Sequence, residues 1–359
     1  MKLAGSSVAI RADASRRIGS GHLMRGLTLA DALRERGANC IFAARRGDGD
    51  MLSYLQARGY ATADLPPRPD GDEDADDLQR RDAMETLARL PSRVDLLVCD
   101  HYDLSDTWQL ALRAQCDRLM VIDDLANRDH DCDLLLDQNL GRVPADYASR
   151  VPGQCRILAG PAFAVLRPQF AAARSAALER RARTGGALIR LMISLGGVDE
   201  PNATCKVLEV IESTTVGRTS EIVVLLGAGA PWIDEVKALA ARSVANIQVH
   251  VGVSDVAALL QEADLAIGAA GGSSWERCCL GVPALLIVLA DNQRPGARAL
   301  ESAGAAVILG ELSTFTDRLC AELEGLHEDP ASLRRMSEAA AAVTDGLGVV
   351  RVAHALEQL

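Results

Sequence analysis

The stretch SVAIRADASRRIGSGHLMRGLTLADALRERGANCIFAAR, residues 7–45, decides the fold. It opens with one apolar run, SVAIRAD (7–13), and closes with another, NCIFAAR (39–45). Between them Leu23, Leu27, Ala30 and Leu33 recur at helical spacing on one face, and Gly37 closes the helix. Strand, helix and strand in that order make a βαβ unit, whose strands are parallel. The turn ASRRIGSGH (14–22) places Gly19 and Gly21 just ahead of His22. His22 therefore stands at a helix N-terminus, where the positive dipole end favours the neutral imidazole that a general base requires. Two readings of it stay open on these residues alone, a base and a partly exposed loop histidine. Asp13, at the end of the first strand, is the candidate to hold the ring in one tautomer.

The same alternation continues along the chain. Further strands are expected at VDLLVCD (94–100), RLMVIDD (118–124) and DLLLDQN (133–139). The second half repeats it at LIRLMISL (188–195), EIVVLL (221–226), NIQVHV (246–251), DLAIGAA (264–270) and ALLIVL (284–289), with helices starting at Asn202, Pro231, Ser254, Ser273 and Arg294. Helical patterns fill 313–358. A chain of 359 residues exceeds the size at which one core stops growing. The expected architecture is α/β, with two doubly wound Rossmann-like domains facing a cleft. The first spans 1–170, and the charged, alanine-rich 171–186 forms the junction. The second spans 187–345, and a last helix, 346–359, packs across that junction.

Composition narrows the partners. Aromatic residues make up only 3% of the chain, which argues against stacking platforms for single-stranded nucleic acid. The net charge of -11 comes without a basic run that could follow a phosphate backbone or an anionic membrane. The longest apolar run, VPALLIVLA (282–290), is too short to span a bilayer. Nine scattered cysteines without a CxxC pair read as reduced core thiols of a cytoplasmic protein. The acidic segment DGDEDADDLQRRD (70–82) reads as a solvated loop and helix start.

Three glycine-bearing loops follow strands and open helices: 14–22, LGGVDEPNAT (195–204) and GAAGGSSWE (268–276). Glycine lets a backbone approach a ligand, and a helix start offers unpaired amides to phosphate. Two such loops in the second half point to a nucleoside diphosphate. None fits GxGxxG, and GxxxxGK[ST] is absent, which disfavours dinucleotides and ATP. Glu276 either accepts from ribose hydroxyls or complements its helix dipole. Asn292 is either a helix cap or a ligand-facing amide. Asp100, His101 and Tyr102 form a polar cluster at a strand end. Asp123 and Asp124 lack a third ligand at metal spacing, so neither a metal nor a cofactor is expected.

Taken in order, RADAS (11–15), IGSGH (18–22), MRGLTLADAL (24–33), CDHYD (99–103), VIDD (121–124), LAGPAFAVLRPQF (158–170), SLGGVDEPN (194–202) and GAAGGSSWERCCLGVPALLIVLADNQ (268–293) resemble one family. It is the UDP-sugar hydrolase family of pseudaminic acid biosynthesis, similar in architecture to the GT-B glycosyltransferases, notably the one that makes lipid II. The resemblance implies hydrolysis of UDP-2,4-diacetamido-2,4,6-trideoxy-β-L-altropyranose to UDP and free sugar, in nonulosonic acid supply for surface or flagellin glycosylation. It assigns the base that activates water to His22 and active-site roles to Tyr102 and Asn292. It places Gly197, Asn202, Gly272, Ser273, Ser274 and Glu276 near UDP, with Gln293 beside Asn292. Gly19 and Gly21 then let the backbone approach the sugar. The expected enzyme is a metal-independent cytoplasmic monomer without nucleic acid or membrane partners. The alternatives are a GT-B glycosyltransferase acting on a UDP-amino sugar and a noncatalytic nucleotide-sugar binding protein.

Overall fold

The computed structural model describes residues 1–16, 18–68, 74–91 and 93–359. The chain divides into two compact units, Met1–Val165 with Leu347–Leu359, and Leu166–Gly346.

The first unit is built on seven parallel strands: β1 (Ser7–Ala12), β2 (Asn39–Arg45), β3 (Ala61–Leu65), β4 (Val94–Asp100), β5 (Cys116–Ile122), β6 (Leu134–Asp137) and β7 (Arg156–Ala159). Their order in the sheet is β3-β2-β1-β4-β5-β6-β7. The direction of winding reverses between β1 and β4, and ligands of such sheets sit beyond the carboxyl ends of the strands at that switch. The central strands are apolar on both faces because helices cover both; Leu96, Leu97 and Val98 of β4 are fully buried.

The helix after β1 runs from Gly21 to Arg34. Leu23, Leu29 and Leu33 are fully buried, each burial contributing about 1.5–3 kcal/mol. Gly26 lets this helix settle on the sheet, since a Cβ there would stand 3.2 Å from Ile10 and 3.5 Å from Phe42. The helix Gly348–Glu357 packs on its outer side and buries Val352, Ala353 and Leu356 in the first unit's core. The last segment is thus a member of the first unit.

In the second unit, β8 (Arg190–Ser194), β9 (Glu221–Leu226), β10 (Asn246–Val251), β11 (Leu265–Ala269), β12 (Ala284–Val288) and β13 (Ala306–Glu311) form a parallel sheet in the order β10-β9-β8-β11-β12-β13. Its switch point lies between β8 and β11.

Every strand expected from the sequence is present to within a few residues. Three others, β3, β7 and β13, were not anticipated, and each lies at a sheet edge. The expected junction at 171–186 is corrected. Pro168–Thr184 is a helix of the second unit, starting with proline and ending at Gly185 in the left-handed region, and the units divide at Val165 and Leu166. Of the acidic segment, 70–73 lie outside the described residues. The remainder enters the helix Ala75–Leu87, where Asp82 is buried against Arg11 and Arg45 instead of solvated. The 330–357 stretch is apolar enough by composition to cross a membrane, but folds as two helices separated by Thr344–Leu347.

Candidate active site

The carboxyl ends of β1 and β4 bring together residues far apart in sequence. His22 is the second residue of its helix and Asp100 is the last of β4. His22 Nδ1 lies 2.6 Å from Asp100 Oδ1. Burial alone would raise the Asp100 carboxyl. The adjacent Arg25 guanidinium and His22 ring instead hold it well below the ordinary carboxylate range. A carboxylate only accepts hydrogen bonds, so the proton sits on Nδ1 and the lone pair on Nε2. Nε2 meets no protein partner among the described residues.

Arg25 organises this pair. Its Nε and Nη2 donate to the two oxygens of Asp100, both at 2.8 Å. Nη1 and Nη2 donate to the two oxygens of Asp124, both at 3.0 Å. Asp124 also accepts from Tyr102 Oη at 3.3 Å and from Asn139 Nδ2 at 3.3 Å. The Tyr102 ring stands edge-on to the His22 ring, with centroids 4.4 Å apart. The structure therefore brings His22 and Tyr102 together and adds Asp100, Arg25 and Asp124, whose placement the sequence did not show. Arg25 lies three positions after His22 on the same helix face, which is the signal that was available.

Asp13 does not orient His22. It is paired with the fully buried Arg11, whose Nη1 and Nη2 donate to it at 2.5 and 2.9 Å, and its Oδ1 also accepts from the Arg45 amide at 2.8 Å. Its other neighbour is His101, with Nε2 at 3.2 Å. His101 Nδ1 accepts from the Asp103 amide, so both of that ring's nitrogens are committed. Of the two histidines at this end of the sheet, His22 alone retains a nitrogen for chemistry. Gly19, at φ +74°, forms the tight turn that closes on Ser15, and a Cβ on Gly21 would meet nothing within 4 Å. Arg17 of this loop lies outside the described residues.

In the second unit, two glycine loops follow β8 and β11, on either side of the switch. The β8 loop ends by filling its own helix start. Asp199 accepts from the amides of Ala203 and Thr204 at 3.0 and 2.9 Å, and Asn202 Oδ1 accepts from Cys205 at 3.4 Å. Both residues adopt positive φ to do so. Asn202 is thus a helix cap through its carbonyl oxygen, and those three amides are not open to a ligand. Gly196, at φ +99°, and Gly197, packed on Gly227, complete the loop.

The β11 loop differs. Gly271 and Gly272 have nothing within 4 Å of a built Cβ, and no side chain caps the following helix, Ser273–Cys279. Arg277 lies beneath it and donates to the hydroxyls of Ser273 and Ser274. Glu276 is half-buried and pairs with Arg167 at 3.5 Å; burial raises its carboxyl, and Arg167 opposes the rise. After β12, Asn292 sits within the turn Asp291–Gln293, and the cap position of the next helix is Gln293. Asn292 is therefore not that helix's cap. Gln293 Oε1 accepts from its own loop, at the Leu289 amide, 3.1 Å away.

Residues 202–350 match the Glycosyltransferase family 28 C-terminal domain. The fold of the whole chain is similar to that of Acinetobacter baumannii MurG, with a TM-score of 0.71 at 16% sequence identity over 99% of this chain and 100% of that one. With two doubly wound parallel-sheet domains, the chain has the GT-B fold, and its similarities lie among proteins of nucleotide-sugar chemistry. Among curated proteins it is 24% identical over 357 residues to the spore coat polysaccharide biosynthesis protein SpsG of Bacillus subtilis, covering 98% of each chain. It is 23% identical over 301 residues to the UDP-2,4-diacetamido-2,4,6-trideoxy-beta-L-altropyranose hydrolase of Campylobacter jejuni, covering 84% of this chain and 98% of that one.

Proposed function

We propose that the chain hydrolyses a UDP-activated diacetamido-trideoxy hexose, the substrate named for its Campylobacter relative, to UDP and free sugar. The observation that carries this reading is the His22–Asp100 pair, which leaves Nε2 as an unengaged base at the switch point of the first sheet. Nε2 takes a proton from water, and the resulting hydroxide attacks the anomeric carbon. The bond from that carbon to the diphosphate oxygen breaks with its electrons leaving on UDP, and the anomeric centre inverts. Asp100 stabilises the imidazolium that forms, as a carboxylate behind a catalytic histidine does. Tyr102, edge-on to the His22 ring, shapes the sugar side of the site. In the second unit Gly197, Gly272, Ser273 and Ser274 take the diphosphate, and Glu276, steadied by Arg167, takes ribose hydroxyls. Loop donors aimed at the leaving group stabilise its developing charge without a metal. The enzyme works as a cytoplasmic monomer in supplying a nonulosonic acid for surface glycosylation.

A second reading, glycosyl transfer, is favoured by the family 28 match at 202–350. The same base then deprotonates an acceptor hydroxyl in place of water. Incubation of the purified protein with UDP-2,4-diacetamido-2,4,6-trideoxy-β-L-altropyranose in buffer alone separates the two. Hydrolysis releases UDP and, by NMR, the free sugar with inverted anomeric configuration. Release of UDP only after an acceptor is added would sink the hydrolase in favour of the transferase.

A further inference from the structure

Arg277 is 3% exposed, among the most buried charged side chains of the second unit. Its guanidinium lies against the end of β11, where Gly268 makes room for it; a Cβ on Gly268 would stand 2.7 Å from Nη1. Nη1 donates to Ser273 Oγ at 3.1 Å, and Nη2 donates to Ser274 Oγ at 2.9 Å and to the Ala269 carbonyl at 2.8 Å. Nε is buried without an acceptor. No carboxylate pairs with this cation among the described residues, since the neighbouring acid, Glu276, is joined to Arg167. Buried charges in proteins are normally paired, because one carbonyl and two hydroxyls do not offset the loss of hydration. Each serine oxygen is also occupied as an acceptor. Its own proton is left to donate elsewhere, and no protein acceptor for either is found among the described residues.

We infer that Arg277 is a positioning residue of the nucleotide site, supplying the buried positive charge and orienting the Ser273 and Ser274 hydroxyls that together hold the diphosphate of a nucleoside diphosphate. The inference rests on the nucleotide-sugar reading above and adds to it the source of charge, which the glycine loop itself lacks. An anion over Ser273 completes the missing half of the pair. The two hydroxyls carry the interaction outward from a guanidinium that stays in place.

The test compares ligands that differ only in phosphate. Calorimetry on the full chain measures uridine, UMP, UDP and inorganic pyrophosphate against the natural protein and Arg277→Met. The variant is expected to lose about ten- to a hundredfold in affinity for UDP and to keep uridine within about twofold. Unchanged UDP affinity, or equal losses for UDP and uridine, would overturn the inference. Should Arg277→Met fail to fold, Arg277→Lys keeps the charge without the fork. It is expected to weaken UDP about three- to tenfold and leave uridine alone, and the same two outcomes count against it. A natural protein that binds pyrophosphate through Arg277 but no uridine compound removes the uridine reading and leaves the inference standing. One that binds neither pyrophosphate nor UDP removes both.

Discussion

In the first unit Arg11 lies between the carboxylates of Asp13 and Asp82, and Arg25 between those of Asp100 and Asp124. In the second unit Arg181 and Arg277 are buried too, yet Arg181 hydrogen-bonds only to carbonyl oxygens and Arg277 only to carbonyl and hydroxyl oxygens. The consequences run in opposite directions. Paired carboxylates hold Arg11 and Arg25 well above the ordinary arginine range, whereas burial pulls Arg181 down to about 10 and Arg277 below its usual value. Two doubly wound sheets thus carry, in one unit, a self-neutralised network around His22 and, in the other, buried arginines that no carboxylate hydrogen-bonds among the described residues. The first arrangement fixes geometry in advance; in the second, the anion inferred over Ser273 would offset the cost of burying Arg277.

The sharpest way to break this contrast is His22→Asn. It is expected to lower turnover by about 10²–10⁴-fold and to leave UDP affinity near its natural value, because the proposed nucleotide contacts lie in the second unit. Near-natural turnover would remove His22 as the base. Next is Asp100→Asn. An amide in that place presents its NH₂ to Nδ1 and drives the proton to Nε2, so turnover should fall about 10²–10³-fold with little change in KM. A loss confined to KM would mean that Asp100 acts on binding and not on the tautomer.

Acid separates the units. Asp13, Asp82 and Asp100 are all held below the ordinary carboxylate range despite burial, chiefly by Arg11 for the first two and by Arg25 for the third. Groups with depressed folded values contribute stability that is present above the unfolded value of about 3.9 and is lost as pH falls through it toward the folded value. Asp199 and Glu276 are raised by burial, so their contribution is present below that value and lost as pH rises. Between about pH 5 and 3 the first unit should lose stability through these three carboxylates, partly offset by Asp137, which burial raises to about 6. Trp108, whose indole donates to Asp82 at 2.8 Å, reports this in a variant with Trp232 and Trp275 changed to Phe. Coincident acid transitions in both units would contradict the contrast. The smallest effect belongs to Asn202→Ala. As a cap it should cost about 1 kcal/mol of stability and change UDP affinity less than about threefold. A larger affinity loss would return Asn202 to the ligand.

Much of this was legible from residue order alone. Apolar runs alternating with helical spacing located both sheets, and the glycine loops marked both switch points. What failed was spatial. Asp13 ends the strand that leads into the His22 loop, but the tautomer is set by Asp100, 78 positions away, because β1 and β4 are neighbours in the sheet. Strands β3 and β7 were missed because the edge segments ATADL and RILA are short and only partly apolar. The helix Pro168–Thr184 read as a junction because it buries only Phe170, Ala177 and Arg181, a stripe too sparse for periodicity to show.

The return of Leu347–Leu359 to the first unit makes the second an insertion within it. During synthesis the second unit has all its strands and helices before the segment carrying Val352 and Leu356 emerges, so it can close its core while the first still lacks part of its own. The order of maturation is then the reverse of the order of the domains: the unit with the glycine loops after β8 and β11 is ready before the unit that carries His22.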